Sequence, residues 1–525
     1  MVSLARKHVT EPVRPREAAM ATFILGLVIL LVGGALYGRL CERAFGPDDR
    51  TTPAIEKADG VDYVPMPKWR NSLINLLNIA GTGPILGPIQ GILFGPAAFV
   101  TIPIGCVIGG AVHDYFCGMV SMREGGAQMP ELVRRCTGKW FHRAYTVFAC
   151  LVLFLIGVVL MYTPGDIAAT QVLGLSGSPS DPATWAIYAV VFGYCLVATV
   201  FPIDKIIGRV YPVFGAVLLL STACMLVMLI AGNYPLVNIW EEWTLGGFDF
   251  AAYFSAQNFV PVFFVTVACG ILSGFHSTQV TLVTRTVRSE REGRTTFYNM
   301  MILEGTVAMV WAAASMAMIG VGAAEGGITM QMTDGGWAYF AQVDGEVQRI
   351  AATSVVGVAC NKLLGPVGGI VAIIGAIVLS VTSGDTAMRS LRLIVSEALG
   401  IKTGSAGKRL AVAAPLFALA ACLLVWAKSD ANGFGIIWRY SGWANQTLGV
   451  CALVTVTIWL VSHGKRRVAW MPLVPLAFYA FITCTFLLSA RIGFNLPIQV
   501  AYAVGAIFAI AACALSLWWG SRRRE

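Results

Sequence analysis

Residues 78–88 read NIAGTGPILGP and interrupt an apolar segment that is long enough to cross a membrane. The three glycines and two prolines of this stretch exclude a regular helix, because proline lacks a donor N–H and its ring clashes one turn back. Unwound backbone at membrane depth is tolerated only where it lines a cavity or is buried in protein. The stretch therefore predicts a broken transmembrane helix beside a functional cavity. The alternative is that its glycines let neighbouring helices pack closely.

The composition of the whole chain agrees with a membrane protein. Of its 525 residues, 57% are hydrophobic and only 12% are charged, whereas a soluble domain is about one quarter charged. An ordinary soluble enzyme and a disordered chain are both excluded. The sequence contains no Walker loop, HExxH, GxSxG or CxxC motif. We therefore expect neither an ATP-driven pump nor an enzyme, and no cofactor.

Thirteen apolar runs are each close to the 20 residues that a membrane-spanning helix needs. We therefore predict an all-α polytopic membrane protein with about 13 transmembrane helices in a single domain over 1–525, and no soluble part larger than a loop. The first run is interpreted as a retained helix rather than a signal peptide. The runs are 19–41, 71–93, 95–119, 142–163, 183–203, 210–232, 259–281, 299–323, 365–388, 409–428, 444–462, 469–490 and 498–520.

The basic residues predict the orientation of these helices. From residue 120 onward, most Lys and Arg fall in alternate loops, and such loops are cytoplasmic in membrane proteins. The C-terminus is then cytoplasmic, and the net charge of +9 needs no nucleic-acid partner. If 71–93 and 95–119 both cross, the N-terminus lies outside, although Arg6, Lys7, Arg14 and Arg16 favour the inside. A re-entrant 71–93 would place the N-terminus inside, but we prefer two crossings.

Ten of the runs form two groups of five. After the N-terminal helix 19–41 and the two C-terminal helices in 469–520 are set aside, a first repeat spans 71–232 and a second spans 259–462. The two groups start on opposite sides, as in the inverted repeats of secondary transporters, whose substrates bind at broken helices. The run that leads the second group is also interrupted, by GILSGFHSTQ at 270–279.

Ionisable groups at membrane depth are costly and are therefore functional candidates. Asp114 is interpreted as a proton carrier or as a partner of Arg123. His276 lies in the second interruption, where its titration range suits proton coupling, or it is a satisfied structural residue. Glu304 is expected to face the cytoplasmic boundary.

A second polar group lies late in the run 365–388. Thr382, Ser383 and Asp385 offer oxygen ligands that suit a hard cation. If Asp385 titrates instead, the coupling ion is H⁺. The alternative is that Asp385 pairs with Arg389 one turn away.

Aromatic and polar residues open the run 444–462. Arg439 is either a residue that binds a carboxylate or an anchor at the membrane interface. We assign Trp438 and Trp443 to the aromatic belt of the membrane surface.

The chain resembles the carbon starvation protein A (CstA) family of bacterial inner-membrane transporters. Position 113 is His where longer members of that family carry Gln, and these longer members have an extra N-terminal helix. The resemblance rests, in order along the chain, on residues 62–65, 79–84, 87–88, 110–114, 268–270, 273–276, 382–386, 438–440 and 443–446.

The resemblance implies secondary active uptake of peptides, or of a small carboxylate such as pyruvate, in response to carbon starvation. It also implies membership of the amino acid–polyamine–cation superfamily with a LeuT-like fold. A channel or a non-transporting nutrient receptor is the alternative. The partners are then the substrate and membrane lipid, with the oligomeric state left open.

The same resemblance implies site residues. The coupling ion is H⁺ or Na⁺, and Na⁺ would be held by Thr382 and Ser383 with the carbonyls of Ala80 and Gly81. The expected substrate-binding residues are Ala80, Gly81, Thr82, Gly83, Ser273, Gly274, Phe275, His276, Gln279, Asn445 and Gln446.

Overall fold

The structure is a computed structural model that describes residues 20–60, 62–201, 203–333, 336–343, 345–401, 404–430 and 433–523. The basic N-terminal residues Arg6, Lys7, Arg14 and Arg16 lie outside this part of the chain. Most of the described residues are helical, and small antiparallel sheets lie in two of the connections.

In the described part of the chain, eighteen helices are numbered here in chain order, and the short helices Pro53–Glu56 and Phe250–Ala256 are left unnumbered. The helices are α1 Ala21–Phe45, α2 Lys68–Ile79, α3 Gly83–Gly91, α4 Ala98–Gly105, α5 Ala111–Arg123, α6 Met129–Thr137, α7 Lys139–Val172, α8 Pro182–Val200, α9 Ile203–Ala231, α10 Phe259–Thr266, α11 Ala268–Ile271, α12 Gly274–Val283, α13 Asn299–Val321, α14 Ala352–Ala398, α15 Ala406–Ser429, α16 Gly433–Ser462, α17 Trp470–Ser489 and α18 Ile498–Arg522.

Eleven helical segments in the described part of the chain, two of them kinked at a glycine, are long and apolar enough to cross a membrane. Two of the predicted runs, 71–93 and 259–281, are absent from that set as continuous segments. They consist of shorter helices, α2 with α3 and α10 to α12, so neither forms one unbroken span. The number of spans is therefore lower than the thirteen predicted helices, because glycine and proline break these two runs.

Two further kinks occur at glycines that are followed by proline. Gly95 has φ 74° between α3 and α4, and Gly365 has φ 68° inside the 47-residue helix α14. These left-handed conformations suit glycine because it lacks a Cβ. Both kinks belong to runs whose sequences are interrupted by Gly and Pro.

The sequence analysis did not predict a sheet. A two-stranded hairpin, β1 Thr244–Leu245 and β2 Phe248–Asp249, precedes α10. A three-stranded antiparallel sheet follows α13. Its strands are β3 Ile328–Thr333, β4 Gly336–Val343 and β5 Glu346–Ile350. The buried side chain of Tyr339 in β4 donates to the carbonyl of Ile89 in α3 at 3.2 Å. The sheet is thereby attached to α3, the second half of the first broken helix.

The two ends of α1 lie on opposite faces of the molecule. At its start, Thr22 N donates to Asn238 Oδ1 at 2.8 Å. Just beyond its end, Gly46 O accepts from Arg123 Nη2 at 2.8 Å. The loop between α1 and α2 therefore lies on the same face as the end of α5, which two complete crossings by 71–93 and 95–119 require.

We call the face that carries Arg123 the basic face. The end of α18 lies there too, since Arg523 donates to the carbonyl of Arg135 in α6. Arg123 forms an ion pair of 3.0 Å with Glu290, and Glu124 accepts from Trp459 Nε1 at 2.7 Å. These contacts connect α5, α16 and the loop before α13 across the basic face.

Candidate functional site

The first interruption is a break between two helices. Helix α2 ends at Ile79, Ala80 leaves the helical region with ψ 82°, and α3 begins at Gly83. Gly81 N donates to Ile79 O at 3.0 Å, so the carbonyl of Leu77 lacks its usual helical partner. The break exposes a backbone carbonyl in the middle of the protein.

Two hydroxyl groups of α14 reach this carbonyl. Leu77 O accepts from Thr382 Oγ1 at 3.2 Å and from Ser383 Oγ at 3.0 Å. Thr382 Oγ1 also lies 3.0 Å from the carbonyl of Leu379 in its own helix. Hydroxyl and carbonyl oxygens are ligands that hard cations prefer. We call these four oxygens the oxygen cluster.

The second interruption is also a break between two helices. Helix α11 ends at Ile271, Leu272 and Ser273 are extended, and α12 begins at Gly274. The side chain of Asn445 in α16 lies at the start of α12. Its Oδ1 accepts from Phe275 N at 2.7 Å, and its Nδ2 donates to Ser273 Oγ at 2.9 Å. Asn445 therefore caps the second half-helix from a neighbouring helix.

Glycine makes the approach of α12 to α16 possible. A Cβ on Gly274 would lie 2.2 Å from both Asn445 O and Gly449 N, which are backbone atoms. The two broken helices also touch each other, since a Cβ on Gly87 of α3 would lie 3.2 Å from Thr266 O of α10. Close packing by glycine and an unwound backbone therefore occur together, and they are not alternatives here.

A small cavity of about 50 Å³ lies between the two breaks. Five of the expected substrate-binding residues line it, together with apolar residues of α7 and α10 and polar residues of α16. The five are Gly81, Thr82, Gly83, Phe275 and Asn445. Trp438 and Ser441 of α16 line it as well. Trp438, which was assigned to an aromatic belt, is half-buried and borders this cavity.

The cavity is too small for an organic substrate in this conformation. A water molecule occupies about 30 Å³ in the liquid, and a cavity of about 150 Å³ is needed to hold benzene. The observed 50 Å³ therefore admits one or two waters. On one side the aromatic rings of Tyr162 and Phe434 stack at 4.5 Å, and Phe434 lies 6.0 Å from the ring of Trp438.

An array of buried ionisable side chains lies beside α12. Asp114 Oδ1 is 2.8 Å from His113 Nδ1, and Asp114 Oδ2 is 3.0 Å from His276 Nδ1. His276 Nε2 is 3.6 Å from Glu304 Oε2. All four side chains are fully buried. Two of the predicted ion-coupling residues, Asp114 and His276, are thus in direct contact, although they are far apart in the sequence.

Two sequence-based expectations about this region are corrected. Arg123 forms its ion pair with Glu290, and the carboxylate of Asp114 contacts histidines instead. Glu304 does not face a membrane boundary, because its carboxyl group is buried next to His276. A run of four buried groups that can each carry a proton is suited to proton uptake and release.

Asp385 is separate from this array. Its Oδ2 accepts from Tyr194 in α8 at 3.2 Å, and its side chain is fully buried. Arg389 donates to the backbone carbonyls of Phe201 and Ala198. Asp385 therefore lies on the face of α14 that contacts α8, whereas Ser383 faces the first break.

Three further candidates lie away from the cavity lining. Gln279 Nε2 donates to Ser390 Oγ at 3.2 Å and connects α12 to α14. Gln446 Nε2 donates to the carbonyl of Phe264 in α10. Arg439 is exposed and donates within its own helix, to Gly435 O at 3.2 Å.

Sequence reasoning did not assign roles to His113 or to the carbonyl of Leu77. His113 directly precedes Asp114 inside an apolar run, and that adjacency was an available signal. The position of Leu77 O has no signal in the sequence, because it depends on where the helix breaks and on which face of α14 meets it.

The fold is that of a membrane transporter. A crystal structure of a mutant manganese transporter from Eremococcus coleocola superposes with a TM-score of 0.55 at 10% sequence identity, over 89% of this chain and 99% of that one. At this identity the likeness concerns the fold alone. Together with the eleven candidate spans, it defines this chain as an integral membrane protein.

The chain belongs to the CstA family. The sequence model of carbon starvation protein CstA matches residues 18–169, 158–361 and 328–486. An uncharacterized membrane protein of Haemophilus influenzae is 38% identical over 343 residues, which cover 58% of this chain and 92% of that protein. The peptide transporter CstA of Escherichia coli is 25% identical over 599 residues, covering 91% of this chain and 82% of the relative.

Proposed function

We propose that the protein is a secondary active transporter that imports peptides, or a small carboxylate such as pyruvate, together with a cation. The observation that carries this proposal is the pair of broken helices that face each other across a small cavity. Broken helices at an internal site are a recurring feature of secondary transporters. The names of the CstA relatives in several bacteria support a peptide, and the sequence resemblance suggests pyruvate.

The proposed architecture is a LeuT-like inverted repeat. The first repeat runs from α2 to α9 and the second from α10 to α16, while α1, α17 and α18 are additional. The loop before α2 lies on the basic face, and the loop before α10 follows Asn238, which lies on the opposite face. The two repeats then begin on opposite sides, as an inverted repeat requires.

The substrate carboxylate is proposed to bind at the start of α3. The N-terminus of a helix carries partial positive charge, and Gly83 at the start of α3 lines the cavity. The second amide of α12, Phe275 N, already donates to Asn445 Oδ1, so that half-helix offers less to an anion. Thr82 and Ser441 supply hydroxyl groups on either side.

The coupling cation has two candidate sites. The oxygen cluster of Leu77, Leu379, Thr382 and Ser383 suits Na⁺, and it replaces the carbonyls of Ala80 and Gly81 as the first choice of backbone ligands. The array of Asp114, His276 and their neighbours suits H⁺. In either case the ion must bind one conformation more tightly than the other in order to drive the cycle.

The orientation follows the charge of the loops. The basic face is proposed to be cytoplasmic, which places the C-terminus inside a bacterial cytoplasmic membrane and the start of α1 outside. The contacts that cross the basic face would then close the inner end of the pathway in this conformation. The expression of such an importer would be useful when carbon is scarce.

Uptake by proteoliposomes tests this proposal. The purified protein is assayed with a labelled dipeptide and with labelled pyruvate, under an imposed Na⁺ gradient or an imposed H⁺ gradient. We expect accumulation of at least one substrate under one gradient and loss of that accumulation when the gradient is collapsed. No gradient-dependent accumulation of either substrate would refute the proposal, and flux without counterflow exchange would favour a channel.

Paired variants separate the two coupling sites. Thr382→Ala with Ser383→Ala removes both hydroxyls of the oxygen cluster, whereas Glu304→Gln alters only the buried array. Loss of Na⁺ dependence in the first variant alone assigns Na⁺ to the oxygen cluster. Loss of H⁺ dependence in the second alone assigns H⁺ to the array.

A further inference from the structure

A large apolar groove lies outside the proposed pathway. It has a volume of about 570 Å³ and is formed by α16, α17 and α18 with the end of α6 and the first turn of α7. Along α16 it extends from Trp443 to Ile458. At 1.5 Å per residue this is about 22 Å, which exceeds the depth of one leaflet, roughly half of the ~30 Å hydrocarbon core.

The wall that α18 contributes is a continuous stripe. Phe508, Ala512, Leu515 and Trp519 line the groove at intervals of three or four residues, and this spacing places them on one face of the helix. The lining is almost entirely apolar. Such a surface matches an acyl chain along its length.

The end of the groove at the basic face carries positive charge. The guanidinium of Arg522 lies 4.1 Å from the centre of the Trp518 ring, and that of Arg523 lies 5.6 Å from the centre of the Trp519 ring. Both tryptophans line the groove, so stacking holds the two cations next to residues of its wall. In the part of the chain that the structure describes, no ion pair is formed by Arg522 or Arg523.

We propose that this groove binds one anionic phospholipid from the leaflet at the basic face. An acyl chain occupies the apolar groove, and the phosphate of the headgroup lies between Arg522 and Arg523. Charge complementarity selects this occupant over a zwitterionic lipid, because each Lys or Arg near a membrane surface adds attraction to anionic lipid. The site is independent of the proposed transport function.

Native mass spectrometry of the full chain in detergent tests the site. The protein is titrated separately with phosphatidylglycerol and with phosphatidylcholine of identical acyl chains. We expect the first phosphatidylglycerol molecule to bind about 30-fold more tightly than the first phosphatidylcholine molecule. This ratio corresponds to ~2 kcal/mol from two cations at ~1 kcal/mol each. Inorganic phosphate at the same concentrations should not compete, because it lacks the chain that fills the groove.

Two variants test the two parts of the site, the arginines and the apolar groove. Arg522→Gln with Arg523→Gln should reduce phosphatidylglycerol affinity to that of phosphatidylcholine. Ala512→Trp should fill the groove and remove tight binding of both lipids. The matched controls are Arg466→Gln with Arg467→Gln, which removes the same exposed charge from the basic face, and Ile104→Trp, which adds bulk to a separate apolar groove of about 240 Å³.

The result can overturn the proposal in two ways. Equal affinities for the two lipids in the unmodified protein would exclude headgroup selection. A dimer that is lost in the Ala512→Trp variant would show that a second copy, rather than a lipid, occupies the groove. Because the arginine variant changes two exposed side chains and removes only the bond from Arg523 to the carbonyl of Arg135, its outcome holds even if the tryptophan variant fails to fold.

Discussion

The buried array around Asp114 is the feature in which single residues matter most. Each oxygen of the Asp114 carboxylate contacts a different histidine, and Glu304 continues the series beyond His276. Removing one partner of a buried ion pair leaves an uncompensated charge and costs about 3–5 kcal/mol. A variant that keeps shape is therefore the informative one.

Glu304→Gln should uncouple transport without abolishing it. The amide has the shape of the carboxyl group but cannot take up or release a proton. If the array carries the coupling proton, we expect accumulation driven by a pH gradient to fall at least about tenfold, with counterflow exchange retained. Proteoliposome uptake measures both quantities, and unchanged proton-driven accumulation would remove Glu304 from the coupling path.

Glu131→Gln is the control for that experiment. Hydrogen bonds and charge from Arg134 and Arg135 lower the pKa of Glu131 to about 2. Its folded pKa is below the usual carboxyl value, so its small stabilising contribution is present above about pH 4.5 and is lost as the pH falls toward 2. We expect no change in the pH profile of uptake between about pH 5 and 8.

Asn445→Ala should destabilise the second broken helix. It removes the acceptor for Phe275 N and the donor to Ser273 Oγ, and a buried unsatisfied amide costs about 1–3 kcal/mol. Thermal unfolding in detergent measures the loss. Thr447→Ala is the matched control, because that hydroxyl bonds only to Trp443 O in its own helix, and a loss of similar size there would contradict the capping role.

At the scale of helices, glycine decides how closely the half-helices approach their neighbours. Gly274→Ala should displace α12 from α16, because the new Cβ would lie 2.2 Å from two backbone atoms that cannot rotate away. We expect a cost of at least about 1–3 kcal/mol and loss of uptake. Both are read from thermal unfolding and transport assays of the same preparation.

The comparison variant is Gly193→Ala in α8. A Cβ at this exposed helical glycine meets open space, so alanine should stabilise α8 by about 0.5–1 kcal/mol through its better helix propensity. Equal destabilisation of the two variants would show that the loss at Gly274 is not due to the close contact with α16.

The breaks were predictable from sequence, and the arrangement around them was not. Glycine and proline act locally, so residues 78–88 alone indicate an interruption. The contact between Asp114 and His276 depends on how helices far apart in the chain pack. The strands β3 to β5 also gave no clear signal, since they are short and lie in a loop between long apolar runs.

For the whole molecule, the positions of the helix ends define two faces. Lys408 lies near the start of α15, whose Arg409 donates to Val200 O at the end of α8. Ser180 precedes the start of α8 and lies at the other face. The charge of the loops predicts which face is cytoplasmic. The contacts in the structure show which helix ends lie on the same face.

A thiol-labelling experiment converts these relative sides into an orientation. A membrane-impermeant maleimide applied to intact cells should label Ser180→Cys and should leave Lys408→Cys unlabelled until the cells are opened. Labelling is compared with that of the unmodified chain to allow for its native cysteines. The reverse pattern would place the basic face outside and would contradict the proposed orientation.

The bond between Tyr339 and Ile89 joins the small sheet to a half-helix that borders the cavity. A movement of α3 must either break this bond or carry the sheet with it. Strand β5 is exposed along most of its length, so it offers an epitope that moves when α3 moves. An antibody fragment selected against this strand in one conformation would therefore report the proposed transport cycle from the face opposite the basic face, and we expect its binding to slow that cycle.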